Sequence, residues 1–392
     1  MARPNKRESH ERWPVGNGLY ARIGPARDAA EIGALWRTVE AGADGSVFQS
    51  WLWLGCRFAA RFDRAHVLTI ETDNRMLAIG LLNRGGARFG LARYWLSETG
   101  TPTEDSVFIE HNGPLVVRDR PEARDAWFTA LLRQRPKLGW PELGWPKLGW
   151  PGFGRFICLS GLGAADLAAA QRHGVVDGGI VRQAPRRDIA RLRAAGVDCL
   201  DQVSANTRQQ INRALRLYEA SGALSVARAG TAPAARQWLA ALAERHQATW
   251  RARGKPGAFA NAAFRDFHAA LADRGTASGE VDLLRIAAGD RLIGYLYNFV
   301  WRGTVSAYQS GFVYDPAHPH EKPGLVCHVA AMRYYQARGL DCYDFLAGDD
   351  RYKTSLADGN MTLYWVSAAP RVTLAGAILA ARARIGVIRN RS

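Results

Sequence analysis

Two stretches of the chain gather groups able to move protons and hold anions. One runs from Asp344 to Lys353 and holds Asp344, Asp349, Asp350, Tyr352 and Lys353. The other is His318, Pro319, His320, Glu321 and Lys322, followed directly by Pro323, Gly324, Leu325 and Val326. Proline ahead of an apolar helical pattern marks a helix start. Such a start offers free N–H groups and the positive end of the helix dipole, so it seats an anion. Lys322 adds charge there, and Gly324 lets a ligand approach the backbone. Asp344 alternates with Tyr343 and Phe345 on a short strand-like run. A carboxylate buried in a central strand has its proton affinity raised and serves as a base. One satisfied by an arginine or a backbone amide does not, and both readings stay open. His318 and His320 lack further clustered ligands, so no metal site is expected. His246 lies on a stripe with Trp238, Leu242 and Trp250 at spacing four and reads as a core histidine before a catalytic one.

The elements that must position these groups follow from the pattern. The chain has 392 residues, enough for two domains. In the second half, periodicity predicts a strand at 223–229, helices at 234–252 and 261–273, and three strands at 281–287, 292–301 and 304–313. A helix at 325–338, a strand at 342–346, a short helix at 350–356 and a strand at 361–367 complete it. The first half repeats the order: a strand at 19–24, helices at 28–40 and 49–62, and strands at 65–72, 76–83 and 87–96. Asp73-Asn74 and Gly85-Gly86 supply the turns between those three strands. A helix at 121–133, a strand at 155–159, a helix at 164–172 and a strand at 178–183 follow, and a helix at 204–220 bridges the halves. The fold class is therefore α/β (α+β), with two mixed-sheet halves at 19–185 and 186–370.

Three segments stand outside this order. Residues 1–18 read as a disordered start. Residues 137–151 read KLGWP-ELGWP-KLGWP, and proline and glycine every five residues forbid regular helix or sheet. That insertion reads as a tolerated loop expansion ahead of a Trp-rich contact surface. The tail, 371–392, has an apolar run and then Arg382, Arg384, Arg389 and Arg391. It suits a basic amphipathic helix making peripheral contact with an anionic membrane, or a helix docked on the protein's own surface.

Composition narrows the class. Apolar residues make up 47% and charged residues 22%, a globular balance, and the net charge is +16. Such an excess attracts nucleic acid, anionic lipid or a phosphorylated small molecule, although arginines scattered over a solvated surface explain it equally well. The five cysteines form no CxxC and read as reduced. The first 17 residues lack the apolar core of a signal peptide, and no apolar run is long enough to span a bilayer. A cytoplasmic location is expected.

Residues 308–356 also carry a resemblance. The pieces are Y-Q-S-G-F at 308–312, P-G-L at 323–325 and D-F-L-A-G-D-D-R-Y-K at 344–353. S-A-N-T-R-Q-Q-I-N-R-A at 204–214, W-R-A-R-G at 250–254 and F-Q-S-W-L-W-L at 48–54 join them. Together they resemble the CelD/BcsL and BioF2-like acetyltransferase family, a branch of the GNAT superfamily related to the FemAB peptidoglycan transferases. The resemblance implies a tandem GNAT-like chain, with a degenerate N-terminal half and a catalytic C-terminal half. It implies acyl transfer from acetyl-CoA or another acyl-CoA to an amine or hydroxyl, in exopolysaccharide or cell-envelope pathways, on a small-molecule or envelope-precursor acceptor such as an amino sugar or peptide.

A thioester transferase needs an anion seat, an amide donor for the developing oxyanion and a proton path. Lys322, Gly324, Leu325 and Val326 are expected to seat the pyrophosphate. Backbone groups of Ser310, Gly311 and Phe312 are expected to hold the thioester and its arm, with Gly311 permitting a bulge. Asp344 is the candidate base and Tyr352 the candidate acid for the leaving thiolate. Tyr308, Gln309, Asp349 and Lys353 are expected at the substrate, in one pocket with Asp344 and Tyr352. The loop 314–324 departs from the glycine-rich GNAT pattern, as in relatives that use aminoacyl-tRNA. A tRNA-dependent transferase and a non-catalytic scaffold of a polysaccharide synthesis complex are the alternatives.

Overall fold

The computed structural model describes residues 12–61, 65–88, 91–133 and 154–389. The repeat at 137–151 lies outside them. The strands are β1 (Arg12–Gly16), β2 (Leu19–Pro25), β3 (Ala65–Glu71), β4 (Met76–Arg88), β5 (Leu91–Leu96), β6 (Leu115–Val116), β7 (Arg155–Leu162) and β8 (Val175–Val176). They continue with β9 (Ile180–Asp188), β10 (Leu224–Arg228), β11 (Val281–Ala288), β12 (Arg291–Trp301), β13 (Thr304–Phe312), β14 (Cys342–Asp344) and β15 (Gly359–Ala369).

The chain forms two compact units. Unit 1 holds residues up to 105, 109–181 and 364 onward; unit 2 holds 106–108 and 182–363. The expected boundary at 185 therefore moves to 181, and residues 364–370 join unit 1 instead of the C-terminal half. The cause is an exchange of closing strands. In unit 1 the order is β1-β2-β3-β4-β5-β7-β15, and in unit 2 it is β9-β14-β13-β12-β11-β10. Each unit has an antiparallel meander, one parallel step (β5 to β7, β13 to β14) and an antiparallel closing strand. β9 precedes the meander of unit 2 in sequence yet closes its sheet, and the second part of β15 closes the sheet of unit 1.

Two local expectations are corrected. Residues 12–18 are ordered, because Arg12–Gly16 pairs with Leu19–Pro25 across the two-residue turn Asn17-Gly18. Both turn residues have positive φ, 54° and 69°, as the tight hairpin turn requires. Gly85-Gly86 is not a turn, since β4 runs on to Arg88. The glycine serves packing instead: a Cβ on Gly85 would come within 2.4 Å of the Trp95 ring.

In unit 2, helices Ala205–Glu219 and Pro323–Ala337 cover a core that includes Ile211, Leu215, Leu284, Leu296, Val305, Val329 and Met332. Helices Ala232–Ala252 and Ala262–Gly275 pack on the sheet with Tyr297, Phe299 and Tyr308. Ser204, Thr231 and Asn261 cap three of these helices with their side chains. Each accepts an N–H that would otherwise lack a partner. In unit 1 the C-terminal helix Leu374–Arg389 buries Ala375 and Leu379 against Leu91, Phe156 and Ala369, so it is docked on the protein's own surface. No helix among the described residues is long and apolar enough to cross a membrane.

Candidate active site in unit 2

The site begins where two strands part. β13 and β14 pair in parallel over only three positions, Thr304 with Cys342, Val305 with Tyr343 and Ser306 with Asp344. Beyond Asp344 the chain follows β9: Phe345 N–H donates to Pro185 C=O at 2.9 Å and Gly348 N–H to Gln183 C=O at 3.2 Å. The expected strand 342–346 is shorter for that reason. β13 runs on to Phe312 with β12 as its remaining strand partner. Val313 N–H donates to Ile293 C=O, so Gln309 and Gly311 face β12 by the alternation of an antiparallel ladder. Ser310 and Phe312 therefore turn their N–H and C=O groups toward the side that β14 has left.

The helix Pro323–Ala337 starts at the end of this opening. Its first intrahelical bond runs from Val326 N–H to Lys322 C=O at 3.2 Å. The N–H groups of Gly324 and Leu325 precede it, and no side chain caps them. Lys322 is exposed and left-handed, with φ 46°. Gly324 faces the Phe312 ring, which a Cβ would approach to 3.1 Å. Glu321 is 5% exposed and takes both oxygens to Arg291, at 2.9 and 2.8 Å, so it anchors the preceding loop. His318 pairs with Asp315 on the surface, and His320 is exposed.

At the vertex of the opening, Asp344 is 4% exposed and accepts the Leu346 N–H at 2.7 Å. Leu346 is left-handed, with φ 59°, and the bond holds the turn that sends the chain away from β13. Tyr352 lies flat on His328, ring centroids 5.1 Å apart at 18°. Burial and nearby Asp350 raise the Tyr352 phenol above its ordinary value. His328 also meets Phe312 at 6.0 Å and Phe345 at 5.5 Å, so one imidazole touches residues from both diverging segments. Burial and nearby Lys353 push its pKa down to about 3. Lys353 is buried and donates to the carbonyls of Leu346 and Ala347 at 3.3 and 2.9 Å. Asp349 is exposed. No sequence signal singled out His328, which falls within an apolar helix pattern.

The expected grouping divides. Asp344, Tyr352 and Lys353 come together around 344–353, whereas Tyr308 belongs to another cluster. Its hydroxyl donates to Val107 C=O and accepts from His268 Nε2 at 3.1 Å; His268 Nδ1 takes the Tyr297 hydroxyl at 3.2 Å. Gln309 is half-buried next to it on β13. The bulge of β13 falls at Tyr308, where the register shifts, and not at Gly311. Gly311 has a different reason, because a Cβ there would lie 2.9 Å from Leu242 Cα. His246 donates from Nδ1 to Ser310 C=O at 3.2 Å, and burial lowers its pKa. Beside it a cleft of about 630 Å³ is lined by Glu244, Arg245, Thr249, Arg253, Phe312 and Tyr314. That volume suits a small molecule.

The matching place in unit 1 is closed. β5 and β7 pair from Ala92 with Arg155 to Trp95 with Cys158. Beyond them Asn112 fills the gap: its N–H donates to Gly161 C=O at 2.9 Å and its side-chain amide to Leu96 C=O at 3.0 Å.

Split parallel strands beside an uncapped helix start place free backbone N–H groups around one opening. Residues 205–354 match the family model described as acetyltransferase (GNAT) domain, which spans this site. No protein of curated function matches the sequence. FemX is similar in fold, with a TM-score of 0.55 at 11% identity over 88% of this chain and 96% of that one. A conserved protein of unknown function from Bacteroides thetaiotaomicron superposes with a TM-score of 0.52 at 11% identity, over 88% of this chain and 98% of that one. At such identities the likeness shows the fold. The chain is a mixed α/β protein of two units, and the match to the GNAT acetyltransferase domain model lies within the second.

Proposed function

We propose that unit 2 transfers an acyl group from an acyl-CoA, with acetyl-CoA the first candidate, to an amine or hydroxyl of a small-molecule or cell-envelope precursor such as an amino sugar or peptide. The observation that carries this reading is the early end of the β13–β14 pairing. It leaves Ser310 and Phe312 N–H groups facing an opening beside the uncapped N–H groups of Gly324 and Leu325. The first pair suits a carbonyl oxygen that gains charge, and the second suits a phosphate. The nucleophile attacks the thioester carbon, the C–S bond breaks, and Tyr352, protonated well past neutrality, gives its proton to the departing thiolate. Asp344, at the vertex, is the carboxylate assigned to take the nucleophile's proton. The closed gap at Asn112 supports an architectural unit 1.

Titration with acetyl-CoA while following the melting temperature tests this. A saturable rise is expected, since a ligand at about 100 times its Kd adds about 2.7 kcal/mol. Lys322→Glu should abolish most of it. The acyl-CoA reading is lost if neither acetyl-CoA nor longer acyl-CoAs move the transition.

A transferase fed by aminoacyl-tRNA is the second reading. It is favoured by the net charge of +16 and by a 314–324 loop with Gly324 as its one glycine. Tight binding of aminoacyl-tRNA that weakens steeply with salt, without acyl-CoA binding, would select it.

A further inference from the structure

His328 is 2% exposed, and its two ring nitrogens are unequally served. Nδ1 lies 2.9 Å from the Tyr343 hydroxyl, while Nε2 is buried with no hydrogen-bond partner among the described residues. Tyr343 is itself fully buried, and His328 is its hydrogen-bond partner. That fixes the tautomer. If Nδ1 carried the proton, the Tyr343 O–H would lack an acceptor and Nε2 would lack a donor, leaving two groups unmet. If the Tyr343 O–H donates to Nδ1, the proton sits on Nε2 and one group is unmet. Buried polar groups without partners are costly, so the second arrangement holds.

The remaining N–H has a direction. Nε2 lies across the ring from Nδ1, so it points away from Tyr343 and β14. The imidazole stands between Phe312, at the end of β13, and Phe345, just past β14. Tyr352 covers one face of it and is itself partly exposed. A buried neutral donor thus sits between the two diverging segments, under the residue assigned to protonate the thiolate. A neutral donor among aromatic rings suits a neutral acceptor, a carbonyl oxygen, better than a phosphate.

We propose that His328 Nε2–H binds the carbonyl oxygen of the donor thioester and so distinguishes acylated from free coenzyme. This rests on the acyl-CoA reading of unit 2. It adds a side-chain contact to the backbone donors of β13, and it makes His328 a binding residue that touches substrate.

The test uses two non-reacting ligands on the full chain. One is the ketone analogue of acetyl-CoA, in which a methylene replaces sulfur; the other is ethyl-CoA, which has no carbonyl. His328→Phe keeps the ring and removes the donor, and His328→Gln returns an N–H near the Nε2 position. Calorimetry should show the ketone binding about tenfold more weakly to His328→Phe, the worth of one neutral hydrogen bond. Ethyl-CoA should bind both proteins alike, and His328→Gln should recover most of the loss. If His328→Phe does not fold, the nitrogen-15 spectrum of the unaltered protein decides: the Nε2–H signal should shift with the ketone and stay with ethyl-CoA. Equal losses for both ligands, no loss for either, or an unprotonated Nε2 overturns the inference while leaving acyl-CoA binding intact. If the unaltered protein binds neither ligand, the acyl-CoA reading itself falls and takes this one with it.

Discussion

The carboxylate of Asp344 accepts the backbone N–H of Leu346 at 2.7 Å, and that bond sits where β14 leaves β13. Leu346 adopts a left-handed backbone with φ 59°, a conformation that costs a branched side chain about 1–2 kcal/mol. Asp344 offsets that cost and fixes the turn. The turn that opens the sheet is thus held by the residue that the sequence offers as a candidate base.

These two roles separate in a pair of variants. Asp344→Asn keeps an oxygen for the Leu346 N–H, whereas Asp344→Ala leaves it unmet in a buried turn. Asp344→Ala should cost about 1–3 kcal/mol of stability by chemical denaturation, and Asp344→Asn clearly less. With acetyl-CoA and a competent acceptor, Asp344→Asn should still lose most turnover. An asparagine variant with full activity would leave Asp344 with the turn alone.

Tyr352 makes a different demand. Its phenol is held above the ordinary value, mainly by burial and then by Asp350. A raised phenol stays protonated below its unfolded value, and the associated stability fades only as pH climbs from about 10 through the folded pKa. Turnover should therefore show no alkaline loss from Tyr352 up to about pH 10. Tyr352→Phe keeps the stack on His328 and removes the proton, so kcat should fall about a hundredfold with little change in acyl-CoA Kd. An unchanged kcat would reassign Tyr352 to packing.

The meander, the helix at 323 and the cluster 344–353 were legible because each follows from local periodicity or from residues close in sequence. The strand exchange was not, because no local pattern says which sheet edge 180–188 or 364–369 will close. Gly85-Gly86 read as a turn because paired glycines usually break strands; packing under Trp95 won instead. Tyr308 looked like a site residue by its neighbours Gln309 and Ser310, but the bulge at Tyr308 aims its ring at His268. His328 stayed hidden because a histidine in an apolar helix carries no signal of its own. The Asn17-Gly18 hairpin turn was missed by reading 1–18 as disordered, although that dipeptide suits two successive positive φ angles.

The ion pair of Glu321 and Arg291 holds the chain just ahead of Lys322. Glu321 is 5% exposed, and the Arg291 side chain is 37% exposed, so solvent screens part of the attraction. Removing the cation leaves a nearly buried carboxylate without its partner. Arg291→Met should destabilise unit 2 by about 1–3 kcal/mol, and Arg291→Met with Glu321→Gln should restore part of that in a double-mutant cycle. Acyl-CoA affinity should fall in the single variant, because Lys322 and the helix start lose their anchor. Additive single effects would show that the pair is not coupled.

His328 gives the sharpest pH signature. Burial, with Lys353 adding to it, takes its pKa to about 3, against about 6.5 when unfolded. Its folded value is depressed, so the unfolded chain binds the extra proton first as acid is added. The contribution is complete above about pH 6.5 and is lost as pH falls through the folded value. By pH 5 that amounts to about 2 kcal/mol. Glu98 and Asp166 in unit 1, raised by burial to about 7 and about 6, act in the opposite sense over part of this range. Comparison with His328→Phe removes their effect, because they are present in both proteins. The variant should therefore lose about 2 kcal/mol less than the unaltered protein between pH 7 and pH 5, read from urea midpoints at each pH. Parallel pH curves would mean that His328 is already free to take a proton in the folded state, with its ring open to water.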